Sequence, residues 1–525
     1  MGTGDAVSIS LTPQRITNVP DEPDPPARRR PSFDVALVAV FTVALSLAGA
    51  ARPSLWFDEA ATISASTRSV PELWHMLGKV DAVHGLYYLL MHGWFALFPE
   101  TEFWCRVPSG LAVGAAAAGV VVLTERFSTR SVALCAGIVF AILPRTTWAG
   151  IEARSYAFSA VAAVWLTILL LETLRRSSKR LWLGYGLGLL LSVLLNLNLV
   201  LLIPVYAAVV ALRKPPKRQV IWWAATTAIV AGAVVPFVAF AHGQIRQVGW
   251  IFRLGTRTFG DVLVQQYFDD SLWFALAAGS VIAAAAVFWC YGVRRPDRNT
   301  LQLLTIAMSW IVIPTAVLLV YSALFEPIYY PRYLYFTAPA AAIVLASCIT
   351  TIAARPAMIA GLVIALAAAG IPNYLFVQRG PYAKEGMDYS QIADLIDAHA
   401  ADGDCLVLDP TTAWAPGPIR PLTAARPAVY QRLTDPGRGA TAVQRHFLWD
   451  YNLAVEVIAK RLAGCRVIWT VTDRDKTRPD YERGDAVPPG RRLSRVPAYQ
   501  IPHRMGFRVV ERWQFNFAQV TKSAR

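Results

Sequence analysis

Long apolar runs separated by short polar clusters dominate the first three quarters of the chain. Most runs are close to the roughly 20 residues that a helix needs to cross about 30 Å of hydrocarbon. The pattern therefore predicts an all-α polytopic membrane protein. About eleven transmembrane helices are expected, with approximate bounds of 34–51, 104–123, 130–147, 155–174, 181–195, 198–213, 219–241, 271–292, 300–323, 333–352 and 356–374.

One apolar stretch, residues 84–98 (HGLYYLLMHGWFALF), is short for a membrane span. If it crossed the membrane, Arg126 and Arg130 would move to the opposite face and every later helix would reverse its direction. This reversal would break the rule that basic loop residues stay in the cytoplasm. We therefore expect a juxtamembrane or re-entrant helix here.

The composition changes at both ends of the chain. Residues 1–33 are polar and proline-rich, and are predicted to be a disordered cytoplasmic segment. Residues 34–374 form the predicted transmembrane domain, and residues 375–525 have the composition of a soluble domain. Within the soluble part, GDCLVLD and GCRVIWTVTD indicate buried strands, whereas SQIADLIDAHAA and AVEVIAKRLA indicate amphipathic helices. Together these segments predict a small C-terminal α/β domain.

The basic residues predict the orientation of the helices. The chain has 50 basic and 35 acidic residues and a net charge of +15. The positive charges lie in short clusters between apolar runs, which encodes topology and argues against a nucleic-acid partner. With these clusters inside, the N-terminus is cytoplasmic and the C-terminal domain is extracytoplasmic. The clusters are Arg28–Arg30, Arg126/Arg130, Arg175/Arg176/Lys179/Arg180, Arg213/Lys214/Lys217/Arg218 and Arg294/Arg295/Arg298.

The overall composition excludes an ordinary cytosolic enzyme, because 55% of the residues are hydrophobic and only 16% are charged. An alanine- and arginine-rich chain suggests a GC-rich bacterial source, and hence a bacterial plasma membrane. Cys405 and Cys465 both lie in the region predicted to be external. They are either a disulfide or two buried thiols, and the sequence leaves both possibilities open.

The first external loop, about 52–103, begins with Trp56, Phe57, Asp58 and Glu59. Two adjacent carboxylates beside aromatic rings at a membrane surface are in a medium of low dielectric constant, which raises the affinity of a carboxylate for its proton. Such a group suits general-base catalysis. The alternative is structural, since acidic residues are also favoured in the first turn of a helix.

Three further external loops follow from this topology, near residues 148–154, 242–270 and 324–332. Charged groups at membrane ends are costly and usually mark a functional site. Each of the charged residues in the external loops also has a structural explanation, such as a local ion pair or a polar interface. For His84, phosphate contact and metal binding are further alternatives. Their convergence on one face is the stronger signal. The residues concerned are Asp58, Glu59, His84, Arg106, Glu152, Arg154 and Arg332.

Five stretches resemble the GT-C glycosyltransferases, within the protein O-mannosyltransferase and aminoarabinose-transferase group. The resemblance covers roughly residues 34–350 and does not extend to the tail from 375 onward. Where the family has an HPPLYY-like run, this chain has HGLYY, without the prolines. The stretches are SLWFDEA, HGLYYLLMHGWFALF, FWCRVPSGLA, LPRTTWAGIEARSYA and YYPRYLYFTAPA.

The resemblance implies a GT-C fold and a sugar donor linked to polyprenyl phosphate. Asp58 falls on the family's catalytic acidic position, and Glu59 is expected to orient Asp58 or the acceptor. Glu152 falls near a second acidic residue that in some relatives binds a divalent metal, which makes Mg²⁺ or Mn²⁺ a possible cofactor. The residues expected to hold the donor phosphate are Arg106, Arg154, Arg332 and His84. The aromatic residues expected to bind substrate are Trp56, Tyr88, Tyr156 and Tyr330.

The chemistry is consistent with this implication. A lipid phosphate is a good leaving group that needs positive charge around its oxygens, which arginines supply. An acceptor hydroxyl needs a carboxylate to take its proton. We therefore expect an inverting transferase that moves a mannose- or arabinose-like sugar to a lipid, glycan or protein hydroxyl on the external face. The alternatives are a transporter or flippase of an amphiphilic lipid-linked substrate, disfavoured by the absence of an internal repeat, and a non-catalytic membrane scaffold.

Overall fold

The computed structural model describes residues 33–410, 418–477, 487–488, 493 and 495–525. All but the last residue of the predicted disordered segment 1–33 lies outside the described residues.

From residue 33 to residue 378 the chain is almost entirely helical. Each predicted span coincides with a helix or with a short turn that continues into one. The helices are α1 Phe33–Leu47, α2 Phe57–Ser66, α3 Val70–Leu77, α4 Gly85–Phe95, α5 Glu102–Glu125, α6 Arg130–Ile142, α7 Pro144–Ala149, α8 Tyr156–Arg176, α9 Lys179–Leu195, α10 Leu202–Arg213, α11 Lys217–His242, α12 Arg257–Gly260, α13 Gln266–Phe268, α14 Leu272–Cys290, α15 Arg298–Leu324, α16 Ala338–Ile352 and α17 Pro356–Pro372.

Seven helical segments in the described chain are long and apolar enough to cross a membrane. Three shorter apolar helices accompany them, Phe33–Leu47, Arg130–Ile142 and Leu197–Arg213. The predicted all-α polytopic membrane architecture is therefore confirmed. The seven are Glu102–Glu125, Tyr156–Arg176, Lys217–His242, Leu272–Cys290, Arg298–Leu324, Pro331–Ile352 and Pro356–Gln378.

Residues 84–98 do not form a full span. Helix α4 has 11 residues and is therefore about 16 Å long, roughly half the thickness of the hydrocarbon core. Its inner side is covered, since Tyr87 and Tyr88 are fully buried, whereas Leu89 and Leu90 are exposed. The helix therefore has the length expected of a juxtamembrane segment.

Helices α1 and α5 pack closely because glycines face α1 at two positions four residues apart. A Cβ atom on Gly110 would lie 2.5 Å from a methyl carbon of Leu47, and one on Gly114 would lie 2.4 Å from a methyl carbon of Val43. Real Cβ atoms essentially never come this close, so a larger residue at either position would force the α1 side chains or α1 itself to shift. Small residues serve the same purpose in other membrane helix pairs. The packing holds the start of α2 close to the start of α5.

The C-terminal domain contains a four-stranded sheet in the order β1-β2-β4-β3. Strands β1 and β2 are parallel, and β4 pairs antiparallel with both β2 and β3. The strands are β1 Cys405–Leu408, β2 Val467–Asp473, β3 Arg508–Gln514 and β4 Ala518–Ala524. The helices are α18 Tyr389–His399, α19 Pro421–Ala425, α20 Pro427–Gln431, α21 Val455–Ile458 and α22 Pro497–Arg504.

A disulfide joins Cys405 to Cys465, with the two Cα atoms 5.9 Å apart. Of the two possibilities that the sequence left open, the structure has the disulfide. It connects the first residue of β1 to the segment just before β2. Disulfides persist mainly in oxidising compartments.

The C-terminal domain packs against the segment that contains α2 to α4. Trp56 and Tyr88 from that segment share one apolar core with Tyr389, Leu422 and Trp469 of the C-terminal domain. An ion pair of 2.8 Å between Arg426 and Glu102 adds to this contact. The two parts together form one end of the molecule, and the candidate site lies there.

Candidate active site

Helix α2 directs two neighbouring carboxylates to different places. Its N-cap is Trp56, and Asp58 and Glu59 occupy the first turn, where no side chain caps the helix. Consecutive residues on a helix point about 100° apart. The Asp58 side chain keeps 15% of its surface exposed, whereas that of Glu59 has none.

Asp58 lies between two arginines from distant parts of the chain. Arg154 Nη2 is 3.1 Å from Asp58 Oδ1, and Arg332 Nη2 is 3.5 Å from Asp58 Oδ2. Arg154 comes from the turn before α8, and Arg332 from the turn before α16. Both guanidinium groups are less than one tenth exposed. Two cations therefore converge on one carboxylate in a pocket with little water.

A second carboxylate, that of Asp81, is connected to Arg154 through the hydroxyl of Tyr88. Arg154 Nη1 donates to the Tyr88 hydroxyl at 2.7 Å, and that hydroxyl donates to Asp81 Oδ2 at 2.5 Å. Asp81 Oδ2 itself lies 4.0 Å from Arg154 Nη1. These contacts hold the guanidinium in place. Within the described chain, however, the buried Nε atoms of both Arg154 and Arg332 have no hydrogen-bond partner.

Three aromatic rings surround the Arg332 guanidinium. Its Cζ atom lies 5.2 Å from the ring centroid of Trp56, 5.7 Å from that of Trp250 and 4.8 Å from that of Tyr330. Stacking on aromatic faces stabilises a guanidinium. The Trp250 and Tyr330 rings also meet edge to face, with centroids 4.9 Å apart. Arg332 is therefore fixed in position without using all its hydrogen-bond donors.

The electrostatics of the pocket keep Asp58 ionised. Burial opposes its ionisation, but the charges of Arg154 and Arg332 outweigh burial and lower the pKa of the Asp58 carboxyl below its usual value. The sequence predicted the opposite direction, from the low dielectric constant alone. The correction follows from Coulombic attraction, which exceeds the cost of desolvation when two cations are this close.

His84 lies beside the same pocket, with its ring 5.8 Å from that of Tyr88. Burial and the positive charge of Arg154 lower the pKa of His84 to about 4, so the imidazole is neutral at pH 7. Its buried Nδ1 atom has no partner among the described residues. A neutral imidazole contacts phosphate only by one hydrogen bond, and it adds no positive charge to the pocket.

Glu59 and Arg106 form a separate, fully buried pair. Arg106 donates from Nε to Glu59 Oε1 at 2.8 Å and from Nη2 to Glu59 Oε2 at 2.6 Å. Its remaining N–H groups donate to the carbonyl oxygens of Ala50, Pro53 and Ser54. Arg106 therefore has no donor left for a phosphate oxygen. The geometry fits neither predicted role, because the pair fastens the start of the loop to α5 and leaves Arg106 without a free donor.

Glu152 is also fully engaged. Its Oε1 atom accepts from the indole N–H of Trp56 at 2.8 Å, and its Oε2 atom lies 2.5 Å from Lys384 Nζ. Burial and the nearby carboxylates raise the pKa of Glu152, with Lys384 acting in the opposite direction. A metal ligand needs a free carboxylate oxygen and companion ligands. Within the described ranges no group of three or more potential ligands is found, so Glu152 does not fit the predicted metal role.

Most of the predicted aromatic residues are buried beside the arginines and have little surface free to contact a substrate. Trp56, Tyr88 and Tyr156 are each at most 5% exposed. Tyr156 stacks near Tyr333, with ring centroids 6.4 Å apart. Tyr330, which is half-buried, is the predicted aromatic residue that is best placed to contact a substrate.

Two residues that the sequence analysis did not select belong to this site. Trp250 is 46% exposed and contacts Arg332. Its only signal in the sequence was its place in the loop 242–270, which was predicted to be external. Lys384 had no signal, because it lies 232 residues from its partner Glu152 in a segment assigned to the soluble domain.

Comparisons with known proteins add information about the fold. No family model matches the chain, and no curated protein matches its sequence. The structure of ArnT from Cupriavidus metallidurans bound to undecaprenyl phosphate is similar, with a TM-score of 0.53 and 11% identity over 93% of this chain and 97% of that chain. The apo state of the same enzyme also gives a TM-score of 0.53, at 12% identity and the same coverage.

A weaker similarity is found to the apo oligosaccharyltransferase of Archaeoglobus fulgidus. Its TM-score is 0.47 at 13% identity, over 84% of this chain and 69% of that chain. ArnT is a GT-C glycosyltransferase. At such low identity, the similarity to ArnT shows the fold alone. The chain therefore has the GT-C fold that the resemblance implied, in the form that ArnT adopts.

Proposed function

We propose that this protein is an integral-membrane glycosyltransferase that moves a sugar from a polyprenyl-phosphate donor to an acceptor hydroxyl. One observation carries the proposal. An ionised aspartate, Asp58, is held between Arg154 and Arg332, whose buried Nε atoms have no partner among the residues described. The GT-C fold supports the same conclusion, and one ArnT structure of this fold contains undecaprenyl phosphate.

The two arginines suit the phosphate of the donor. A guanidinium binds phosphate oxygens through directed hydrogen bonds, and charge-assisted bonds of this kind are the strong ones. Arg154 and Arg332 are already held by Tyr88 and by three aromatic rings, so little reorganisation is needed. We propose that they bind the phosphate and stabilise its charge as it departs, and that His84 contributes one neutral hydrogen bond.

Asp58 is proposed as the general base. The acceptor oxygen attacks the anomeric carbon, and the bond between that carbon and the phosphate oxygen breaks. The hydroxyl proton passes to Asp58, and the bonding electron pair leaves with the polyprenyl phosphate. One displacement inverts the anomeric configuration. The sugar is proposed to be mannose- or arabinose-like, and the acceptor a hydroxyl on a lipid, glycan or protein.

We propose that the site faces the outside of a bacterial plasma membrane, with the N-terminus inside. The disulfide between Cys405 and Cys465 supports this orientation, because the domain that carries it packs against the loop of Asp58. A sugar used outside the membrane cannot come from cytoplasmic nucleotide sugars, so a lipid-linked donor fits the location. Because Glu152 does not fit a metal ligand, no step of this proposal passes through a metal.

The test is sugar transfer by purified protein offered several polyprenyl-phosphate sugars. Asp58→Asn should lower turnover by roughly 10²- to 10⁴-fold, the usual contribution of a general base. Asp397→Asn is the matched control, since Asp397 is a surface carboxylate 63% exposed, and it should leave turnover unchanged. Proton NMR of the product should show an inverted anomeric centre. Normal turnover in Asp58→Asn would overturn the proposal and favour the flippase or scaffold alternative.

A further inference from the structure

Lys384 is a buried cation that the proposed mechanism does not use. It follows α17 and precedes α18, in the segment that connects the helical domain to the C-terminal domain. Its side chain is 2% exposed, and its ammonium lies 2.5 Å from Glu152 Oε2 and 5.1 Å from the ring centroid of Trp148. Burial of an ammonium is expensive, so a position that retains one calls for an explanation.

The ammonium is connected to the candidate site through two side chains. Glu152 accepts from Lys384 with one oxygen and from the Trp56 indole N–H with the other. The Trp56 ring lies 5.2 Å below the Arg332 guanidinium, and Arg332 lies 3.5 Å from Asp58. The orientation of the ring on which Arg332 rests therefore depends on a carboxylate that Lys384 holds.

We propose that Lys384 is a positioning residue for donor binding, acting through Glu152 and Trp56 to hold Arg332 where it receives the donor phosphate. This inference rests on the proposed function. It assigns to the connecting segment of the C-terminal domain a part in building the phosphate site, although Lys384 itself touches no substrate.

The charge on Lys384 is needed because, in the part of the chain that the structure describes, Lys384 is the only cation in direct contact with Glu152. Glu152 is fully buried, and Glu59 and Asp58 add negative charge nearby. Without Lys384, the positive charge that lowers the pKa of the Glu152 carboxyl is lost, so this pKa rises further and protonation becomes easier. A protonated carboxyl has one oxygen that donates, and this changes the partners that it can hold. The indole of Trp56 still has an oxygen to donate to, but Lys384 no longer holds that carboxyl in place, so the Trp56 ring beneath Arg332 is free to reorient.

The variant Lys384→Met tests this role by measuring the KM for the donor and kcat separately. Displacement of Arg332 weakens binding of the donor phosphate, whereas Arg154 stays in place to stabilise the charge as the phosphate departs, so the larger effect falls on KM. We expect the KM for the polyprenyl-phosphate sugar to rise at least tenfold, with kcat within threefold of the wild-type value. Lys384→Arg keeps the charge and should restore most of the affinity. A folding defect alone would lower kcat and leave KM unchanged, and that result would overturn the proposal.

The matched control is Lys522→Met. Lys522 lies on β4 with a carboxylate partner, Glu511, at 3.5 Å and the ring of Trp469 at 5.4 Å, so its chemistry resembles that of Lys384 at a distance from the site. This variant should keep both kinetic parameters.

A double variant shows whether Lys384 acts through Glu152. Glu152→Gln keeps an oxygen that accepts from Trp56 and carries no charge for Lys384 to balance. In that background, Lys384→Met should change KM by less than twofold. If the two effects multiply instead, Lys384 acts independently and the inference is wrong. Wild-type protein that transfers no sugar from any polyprenyl-phosphate donor contradicts the proposed function itself, whereas active wild type with an unaffected Lys384→Met variant contradicts only the positioning role.

Discussion

Asp58 and Glu59 are adjacent in the chain, yet their carboxylates meet arginines in two very different ways. Glu59 and Arg106 are both without exposed surface, and every N–H group of Arg106 has an acceptor in the protein. Asp58 retains some exposure, and Arg154 and Arg332 around it keep buried Nε atoms without partners in the described structure. All the donors of Arg106 in the Glu59–Arg106 pair have acceptors, whereas the cluster of Asp58, Arg154 and Arg332 keeps unused donors.

This difference separates a structural role from a binding role. Buried polar groups in folded proteins nearly always have partners, so an unpartnered buried donor calls for a reason. Arg106 has no free donor left with which to bind a ligand. Around Asp58, two guanidinium groups keep Nε donors that have no partner among the described residues, which is the arrangement that a phosphate ligand completes.

Breaking the complete pair should have the largest effect on stability. Glu59→Gln leaves the Arg106 charge buried and unbalanced, which costs about 3–5 kcal/mol of the free energy of unfolding. Unfolding in mixed micelles measures this loss, with Asp397→Asn as the control. A loss below about 1 kcal/mol would contradict the structural role that we assign to Glu59.

Breaking the incomplete cluster should alter binding and pH dependence instead. Arg154→Met removes a charged hydrogen bond worth about 1.5–3 kcal/mol, so the donor KM should rise roughly 10- to 150-fold.

The same variant tests the electrostatics of Asp58. The carboxyl must be deprotonated to act as a base, and its low pKa keeps wild-type turnover constant as the pH falls into the usual carboxyl range. Without the Arg154 charge, burial has more influence and the pKa of Asp58 rises. The acid side of the pH–rate profile should therefore move to higher pH. An unchanged profile would show that Asp58 is not the titrating base.

The smallest expected effect concerns the aromatic rings around Arg332. Trp250→Ala removes one cation–π contact worth about 0.5–2 kcal/mol, so the donor KM should rise roughly 2- to 30-fold. Phe259, which is 74% exposed in the same loop, provides the control variant Phe259→Ala, expected to match wild type. Equal effects of the two substitutions would remove Trp250 from the site.

The helical part of the fold could be predicted because hydrocarbon imposes a minimum length on every apolar run. Only some of the C-terminal strands could be predicted from their apolar residues. β1 and β2 are buried and apolar, whereas β3 carries Arg508, Glu511 and Arg512. Its buried positions lie mainly at the end of the strand, so no alternating pattern identified it.

The sequence could predict which residues lie on the same face of the membrane, because membrane topology determines this part of the candidate site. Asp58, Arg154 and Arg332 were placed on one face by charge clusters in other loops, and they meet in the structure. Which arginine contacts which acid depends on side-chain packing, so Arg106 was assigned to phosphate although it belongs to Glu59. Lys384 could not be found, because no local pattern connects residues so far apart.

The central claim is that Asp58 accepts a proton while the arginines beside it bind phosphate. Its most direct test compares wild type and Asp58→Asn in nanodiscs, by titration calorimetry with undecaprenyl phosphate and by turnover of the accepted sugar donor. The neutral side chain no longer competes for Arg154 and Arg332, so we predict an equal or lower Kd for the phosphate together with turnover reduced roughly 10²- to 10⁴-fold. Binding and turnover that fall by the same factor would contradict the account, because Asp58 would then organise the pocket and not act as its base.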